Sequence, residues 1–222
     1  TAKDVEYSVK RAVKPETASP YSYVLYLIKN AAAINQTAVP TDTYDIDSLG
    51  VKALDDYTVQ FTLEAPAPYF ESISSIWTKR PVPSAAIEKF GDAWTEPANI
   101  VVNGPYTLKE WKPNEQLVFE KNPTYYDADK VQIDRFEVNV VTDQNTEVSL
   151  YEAGDLDVAG ESAASLPIEA LTRIRQDPAL SADLHEGPRA STTYVGFVNT
   201  KPPFDNVLVR KAFSAAIDRE TM

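Results

Sequence analysis

The sequence predicts an α/β protein in which helices flank small sheets, and three observations predict it. Alternating runs of strand length, such as YTVQFTL and VQIDRFEVNVV, give way to runs of helical period, such as SLPIEALTRIRQD and FDNVLVRKAFSAAIDRE. Turn chemistry separates them, at Asp55-Asp56, at Asn103-Gly104-Pro105 and in NPTYYDAD. A chain of 222 residues with 43% apolar content can also bury a real core.

The elements follow in order. Thr1 and Asp4 have the spacing of a capping box, and Val5, Val9, Ala12 and Val13 follow at helical period, so a helix opens the chain and closes before Pro15. ETASPYSYVLYLIKNAAAI starts with turn residues and turns apolar. Its Tyr23, Leu25, Leu27 and Ile28 keep no single period, and a helix is expected there. Residues 35–48 read as a surface loop. GVKAL and YTVQFTL form a hairpin across Asp55-Asp56, with Tyr57, Val59, Phe61 and Leu63 on one face. Two prolines in EAPAPYF break that strand. SAAIEKFG is a short helix closed by Gly91.

After Asn103-Gly104-Pro105, YTLKEW and QLVFEK are strands joined by KPNE, and VQIDRFEVNVV is a third, giving a mixed or antiparallel sheet. NTEVSLYEAG is a helix capped at Asn145 or Thr146 and ended by Gly154. DLDVAG is a short strand. SLPIEALTRIRQD is a helix with Pro167 in its first turn and Ile168, Leu171 and Ile174 on one side. STTYVGFVN alternates as a strand. The last helix carries Val209, Ala212, Phe213, Ala216 and Ile217 on its apolar face.

Composition removes several function classes. The net charge is −12, from 33 acidic and 21 basic side chains, and no basic run offsets it, so a nucleic acid is not a partner. No apolar run approaches the roughly 18 residues of a membrane span. There is no Cys, hence no disulfide, thiolate zinc site or cysteine nucleophile, a usage that fits an extracytoplasmic bacterial protein. The one His, His185 in ADLHEGPR, reads as a solvated loop residue, and no G-x-S-x-G accompanies it to build a triad. Asp42, Asp45 and Asp47 in TDTYDID lack the Gly and the terminal Glu of a calcium loop, and read as solvated. With 33 acidic residues, carboxylate pairs are plentiful, and no spacing singles one out for a hydrolase. No phosphate loop exists among 7 glycines. The reading is therefore not an enzyme, with no catalytic residue, metal or cofactor. The 12 Tyr, 8 Phe and 3 Trp suit both a core and a ligand cleft, and core packing is the default for each alone. TAKDVEYSVKR at the start and SAAIDRETM at the end both read as cut, so a piece of a longer chain is expected.

Six segments carry a resemblance. LGVKALDDYTVQFTLEAPAPYF, KFGDAWTEPANIV, NGPYTLKEWKPNEQLVFEKNPTYYDAD, LYEAGDLDV and KPPFDNVLVRKAFSAAIDRE, after the opening TAKDVEYS, occur in the order found in family 5 of the extracytoplasmic solute-binding proteins of ABC transporters. The sequence resembles the oligopeptide- and dipeptide-binding group of that family over residues 1–222. The resemblance implies the class II periplasmic-binding-protein clamp, two α/β lobes with an extra domain, here incomplete. Residues 1–83 would be most of the extra domain, residues 84–190 the central part of the first lobe, and residues 191–222 the crossover strand and first helix of the second lobe. The implied function is capture of oligopeptides in the periplasm, or on the outer face of the membrane by a lipid-anchored form, for delivery to a membrane permease.

The resemblance also implies ligand contacts. Tyr21 in TASPYSY lies where the extra domain reaches the peptide. Gly160 and Glu161 fall in a ligand-facing loop, which departs from the family's pattern here in its longer GESAAS. Tyr194, Val195, Gly196 and Phe197 lie on the crossover strand lining the cleft. Trp111 and Tyr125 are expected to pack as scaffold. The family holds the peptide amine through an acidic residue of the second lobe, so these residues alone are expected to bind peptide poorly. Two alternatives stand beside this reading. One is a same-family receptor for oligosaccharide, nickel or haem cargo, with neither the lone His nor the absence of Cys favouring a metal. The other is a surface adhesin or pheromone-sensing interaction protein.

Overall fold

A computed structural model describes residues 1–39, 42–160, 166–187, 191–192 and 194–218. These residues form two compact units, Thr1–Thr142 and Asp143–Met222.

The first unit is organised on α1 (Ala2–Val13), which starts from the Thr1/Asp4 capping box and stops ahead of Pro15, a residue with no N–H to offer. The helix expected next is divided into pieces. Residues 15–17 and 22–25 are 3₁₀ turns, and α2 (Ala31–Asn35) begins only after Asn30, whose φ of 64° is incompatible with a continuous helix. Apolar residues that keep no helical period are buried better by short turns than by one rod. Leu25, Ile28 and Ala31 are fully buried against Val9 and Val13 of α1.

The hairpin forms as expected from β1 (Val51–Ala53) and β2 (Val59–Phe61), antiparallel with Val51 opposite Phe61. Val59, Phe61 and Leu63 pack against the core. Tyr57 does not join that face and is 97% exposed. It sits in the turn, where the Asp55 carboxylate accepts the N–H groups of Tyr57 and Thr58, both at 2.8 Å. Three chain segments are then clasped through main chain alone. Lys29 N–H donates to Thr62 O at 2.9 Å, Gly50 N–H to Lys29 O at 2.9 Å, and Thr62 N–H to Gly50 O at 2.8 Å. A Cβ on residue 50 would stand 2.3 Å from Thr62 O, so only Gly fits.

Beyond α3 (Phe70–Ile73) lies α4 (Ser84–Phe90), which closes at Gly91 with φ 55°. Two side chains of α1 hold this segment. Ser8 Oγ accepts Val82 N–H at 2.8 Å, and Asp4 Oδ1 accepts the Ser84 hydroxyl at 2.9 Å. The strands β3 (Tyr106–Lys112), β4 (Gln116–Lys121) and β5 (Arg135–Asn139) form an antiparallel sheet in that order. Phe119 and Phe136 stack at 4.8 Å, and Tyr106 meets Phe136 edge-on at 4.7 Å. Trp111 pairs with Leu117 and stays 39% exposed, and Tyr125 lies against Tyr126 at 4.6 Å. Asn122 is buried. It donates to Gly104 O and accepts the N–H and hydroxyl of Thr124, while its own N–H bonds Pro105 O. The aromatic, turn-rich run from 103 to 126 therefore spends its polar groups on its own turns and on the sheet it builds with β5.

In the second unit, α5 (Gln144–Ala153) is capped by Asp143 rather than by Asn145 or Thr146. The Asp143 carboxylate accepts Thr146 N–H at 2.8 Å, which a residue inside the first turn cannot do. Gly154 ends the helix with φ 81°. α6 (Ile168–Gln176) and α7 (Pro178–Ala182) follow, the latter capped by Asp177. Val148, Ala170 and Ile174 are buried among Leu166, Leu180 and Leu184. Ile168 is 78% exposed, so the inward stripe runs through Ala170 instead.

Neither DLDVAG nor residues 194–199 form a strand. Among the described residues the second unit holds no strand that could pair with them, and lone extended chain is not a ladder. α8 (Val207–Ala215) starts from Asn206, which accepts Leu208 N–H. None of its described residues is buried, so the expected apolar face is only partly covered: Phe213 stays 51% exposed although its ring meets those of Phe197 and Phe204. No helix among the described residues is long and apolar enough to cross a membrane.

Candidate functional site

Asn35 prepares the position of Tyr21. Its side chain donates to Val13 O at 2.8 Å and accepts the hydroxyls of Ser22 and Tyr26 at 2.9 and 2.7 Å. The end of α1, the 22–25 turn and α2 are thus fixed to one another by one amide. Tyr21 precedes that turn and remains 41% exposed. Its ring meets Trp77 edge-on, with centroids 5.1 Å apart and planes at 80°, and Tyr23 lies 5.9 Å away. Trp77 opens the 3₁₀ turn Trp77–Lys79 and is 60% exposed.

A cavity of about 250 Å³ opens beside this pair, lined by Arg11 of α1, Tyr21, Trp77, Thr78 and Arg80 among others. No carboxylate among the described residues lines it. Among the described residues neither guanidinium has an ion-pair partner, and the enclosed Thr78 hydroxyl has no hydrogen-bond partner. The neighbouring Lys79 turns inward and is 7% exposed. Its ammonium donates to Ser74 Oγ at 2.6 Å and sits 3.9 Å above the Phe70 ring and 4.6 Å from that of Phe61. Burial holds its pKa below the ordinary lysine value.

The other expected contacts lie in the second unit. Gly160 has φ 79°, and a Cβ there would come within 2.6 Å of Leu166. Its N–H donates to Glu147 Oε1 at 2.9 Å, so the backbone is already engaged. It lines a cavity of about 640 Å³ with Tyr151, Glu152, Asp157, Asp183 and His185. Tyr151 donates its hydroxyl to Asp183 at 3.2 Å, and burial together with that carboxylate pushes its pKa up. Glu152 pairs with Arg173.

Glu161 lies outside the described residues. Tyr194 and Val195 are 84% and 68% exposed, and Gly196 is exposed. Phe197 turns away into a ring cluster, 5.0 Å from Phe204 and 5.7 Å from Phe213. None of residues 194–197 lines the cavity at Gly160. Two members of the acidic cluster are engaged within the fold. Asp45 accepts Asp47 N–H at 3.0 Å, and Asp47 pairs with Lys10 at 2.7 Å. Among the described residues no group of three or more His, Asp or Glu could hold a metal ion. Sequence reading missed Trp77, Arg11 and Arg80. The string IWTKRP, a tryptophan followed by two cations ahead of a proline, was the one available signal.

Comparison with known proteins gives these positions a context. All of residues 1–222 match the family described as bacterial extracellular solute-binding proteins, family 5 middle. The periplasmic oligopeptide-binding protein OppA of Escherichia coli K12 is 40% identical over 221 residues, which is 99% of this chain and 39% of that protein. The probable deoxycholate-binding periplasmic protein YgiS of the same strain is 36% identical over 220 residues, again 99% of this chain and 39% of that protein. The crystal structure of Haemophilus influenzae OppA in complex with RPPGFSPFR superposes with a TM-score of 0.78 at 31% identity, covering 100% of this chain and 42% of that one. The chain thus spans about two-fifths of the length of these relatives.

Proposed function

This chain belongs to the bacterial extracellular solute-binding proteins of family 5, and on that premise we propose that its protein captures oligopeptides outside the cytoplasm and hands them to an ABC permease. The observation that carries the reading is the match of the entire chain to a relative solved with a bound peptide. Within it, residues 1–83 belong to the extra domain, residues 84–190 to the first lobe, and residues 191–222 to the crossover into the second. The role is capture, not turnover, and it is performed in the periplasm or on the outer face of the membrane.

A receptor for many peptide sequences must hold what peptides share, which is backbone and termini, and leave side chains in roomy, hydrated pockets. Tyr21 fits such a task, with a flat apolar face and one hydroxyl on a turn braced by Asn35. Gly160, Glu161 and Tyr194–Phe197 are the remaining candidate contacts. Closure of the lobes would convert occupancy into a shape that a permease can sense.

The 36% identity to a protein named for deoxycholate binding favours a second reading, a non-peptide apolar cargo. Calorimetric titration of the protein at its full natural length separates the two. One arm uses a pool of two- to six-residue peptides, and the other uses deoxycholate. Peptide uptake with no response to deoxycholate supports the proposal, and mass spectrometry of the retained pool then gives the preferred length. Deoxycholate uptake with peptide silence transfers the assignment to the second reading. The 222-residue chain, run alongside, is expected to respond weakly or not at all to peptides.

A further inference from the structure

We propose that the cavity between Arg11, Tyr21, Trp77 and Arg80 is a carboxylate subsite, selecting ligands that carry an anionic group next to the part held by Tyr21. The inference deepens the peptide reading and rests on it for the identity of the ligand. It does not rest on it for the chemistry of the cavity.

The charge pattern points there first. The protein carries 33 acidic against 21 basic side chains, yet two arginines line this cavity and, among the described residues, no carboxylate does. Some cations elsewhere are spent on acids, and others on carbonyl or hydroxyl oxygens. Lys10 bonds both Glu6 and Asp47 at 2.7 Å, and Arg173 and Arg175 pair with Glu152 and Glu186. Arg11 and Arg80 have no such partner among the described residues. A guanidinium offers planar donors that match a carboxylate two at a time, and two of them around one cavity match it from two sides.

The unpartnered Thr78 hydroxyl supplies the second observation. It is enclosed in the same wall and satisfied by no described residue. A hydroxyl left so is unfavourable, and rotation about its χ1 would offer it to a ligand oxygen. The rings are the third. Tyr21 and Trp77 stand edge-on at 5.1 Å and present an apolar lip beside the two cations. A carboxylate at the end of a short apolar stem, whether an acidic side chain or a terminal residue, has that same combination. A volume of about 250 Å³ admits one residue, not a folded partner.

The test uses the protein at its full natural length and calorimetry at low and at physiological salt. One ligand pair is tetra-alanine as free acid and as C-terminal amide. The other is an amidated tetrapeptide with one internal Glu and its Gln counterpart. Arg80→Met is expected to weaken the acid member of one pair at least tenfold while moving its neutral counterpart less than twofold. Arg80→Lys should recover part of the loss. The pair that responds tells whether a terminal or a side-chain carboxylate is read. Equal losses for acid and neutral members, or no loss in either, would overturn the proposal. Arg80 is exposed, so Arg80→Met carries the test even if Arg11→Met fails to fold.

If no peptide of the panel binds the wild-type protein, the peptide reading fails and N-acetylglutamate decides the subsite alone. Saturable quenching of tryptophan fluorescence that disappears in both Trp77→Phe and Arg80→Met sustains a carboxylate site for another class of ligand. Absence of that quenching removes the site.

Discussion

Around α1 and the β1–β2 hairpin, Val9, Val13, Leu25, Ile28 and Ala31 are fully buried. In residues 143–222, Val148, Ala170 and Ile174 are the buried apolar residues among those described, each keeping 5–8% exposure, and Val207, Leu208 and Phe213 of α8 are exposed. Each large apolar side chain withdrawn from water contributes about 1.5–3 kcal/mol. The first region therefore closes upon itself, and the second draws little from its own packing. Local opening should start in the second. Amide exchange in α8 should be much faster than in α1 and β2, and equal protection in the two would break the contrast.

Truncations measure it directly. Leu25→Ala should cost about 3–4 kcal/mol, because the void it leaves is walled by α1, α2 and the hairpin and cannot collapse. Ile174→Ala should cost about 2 kcal/mol, since its shallower site is bordered by an open cavity. Denaturant unfolding followed by segment-resolved exchange would check the order, and a reversed order would sink the comparison. Gly50→Ala comes next, at about 2 kcal/mol, because the new methyl meets a carbonyl oxygen and the clasp must open to admit it.

The smallest effect has the opposite sign. The Lys79 ammonium is buried with one hydroxyl acceptor and two ring faces for its three donors. Lys79→Met keeps the ring contacts through a polarisable sulfur and removes the charge, and should stabilise the protein by about 1 kcal/mol at pH 7. The pH dependence has a definite sign. Burial lowers the folded-state pKa below the ordinary 10.5, so between the two values the unfolded chain holds a proton that the folded one has released. Wild-type stability from this group therefore rises as pH climbs toward 10.5 and is lost as pH falls through the folded value. Lys79→Met should flatten that alkaline rise, and an unchanged slope in alkaline denaturation curves would count against the buried charge.

Local patterns were legible wherever one short-range rule decided the outcome. The capping box at Thr1 and Asp4, the hairpin across Asp55-Asp56, the helix stop at Gly91 and the strand pair joined at Pro113–Glu115 each rest on residues a few positions apart. Failures fell where distant neighbours decide. Residues 16–34 could not show that Asn30 would break the helix, and DLDVAG and TTYVGF alternate like strands with no described strand in their own unit to receive them. Tyr57 keeps the right parity but stands in a turn that the Asp55 carboxylate had already claimed. The site was less legible than the fold. Tyr21 was put forward by resemblance alone. Its ring partner Trp77 and the cations Arg11 and Arg80 come from segments over 50 residues apart and meet only because α1 carries the 77–82 turn on its flank.

The clasp of residues 29, 50 and 62 also bears on how such a gene can change. Its bonds run between peptide groups that every codon but that of proline supplies, so Lys29 and Thr62 can be exchanged for other residues while the join is inherited intact. Only position 50 is denied that freedom. A lineage of such proteins could thus rewrite much of the surface around this corner, and with it charge and solubility, while the geometry of the join itself passes on unaltered.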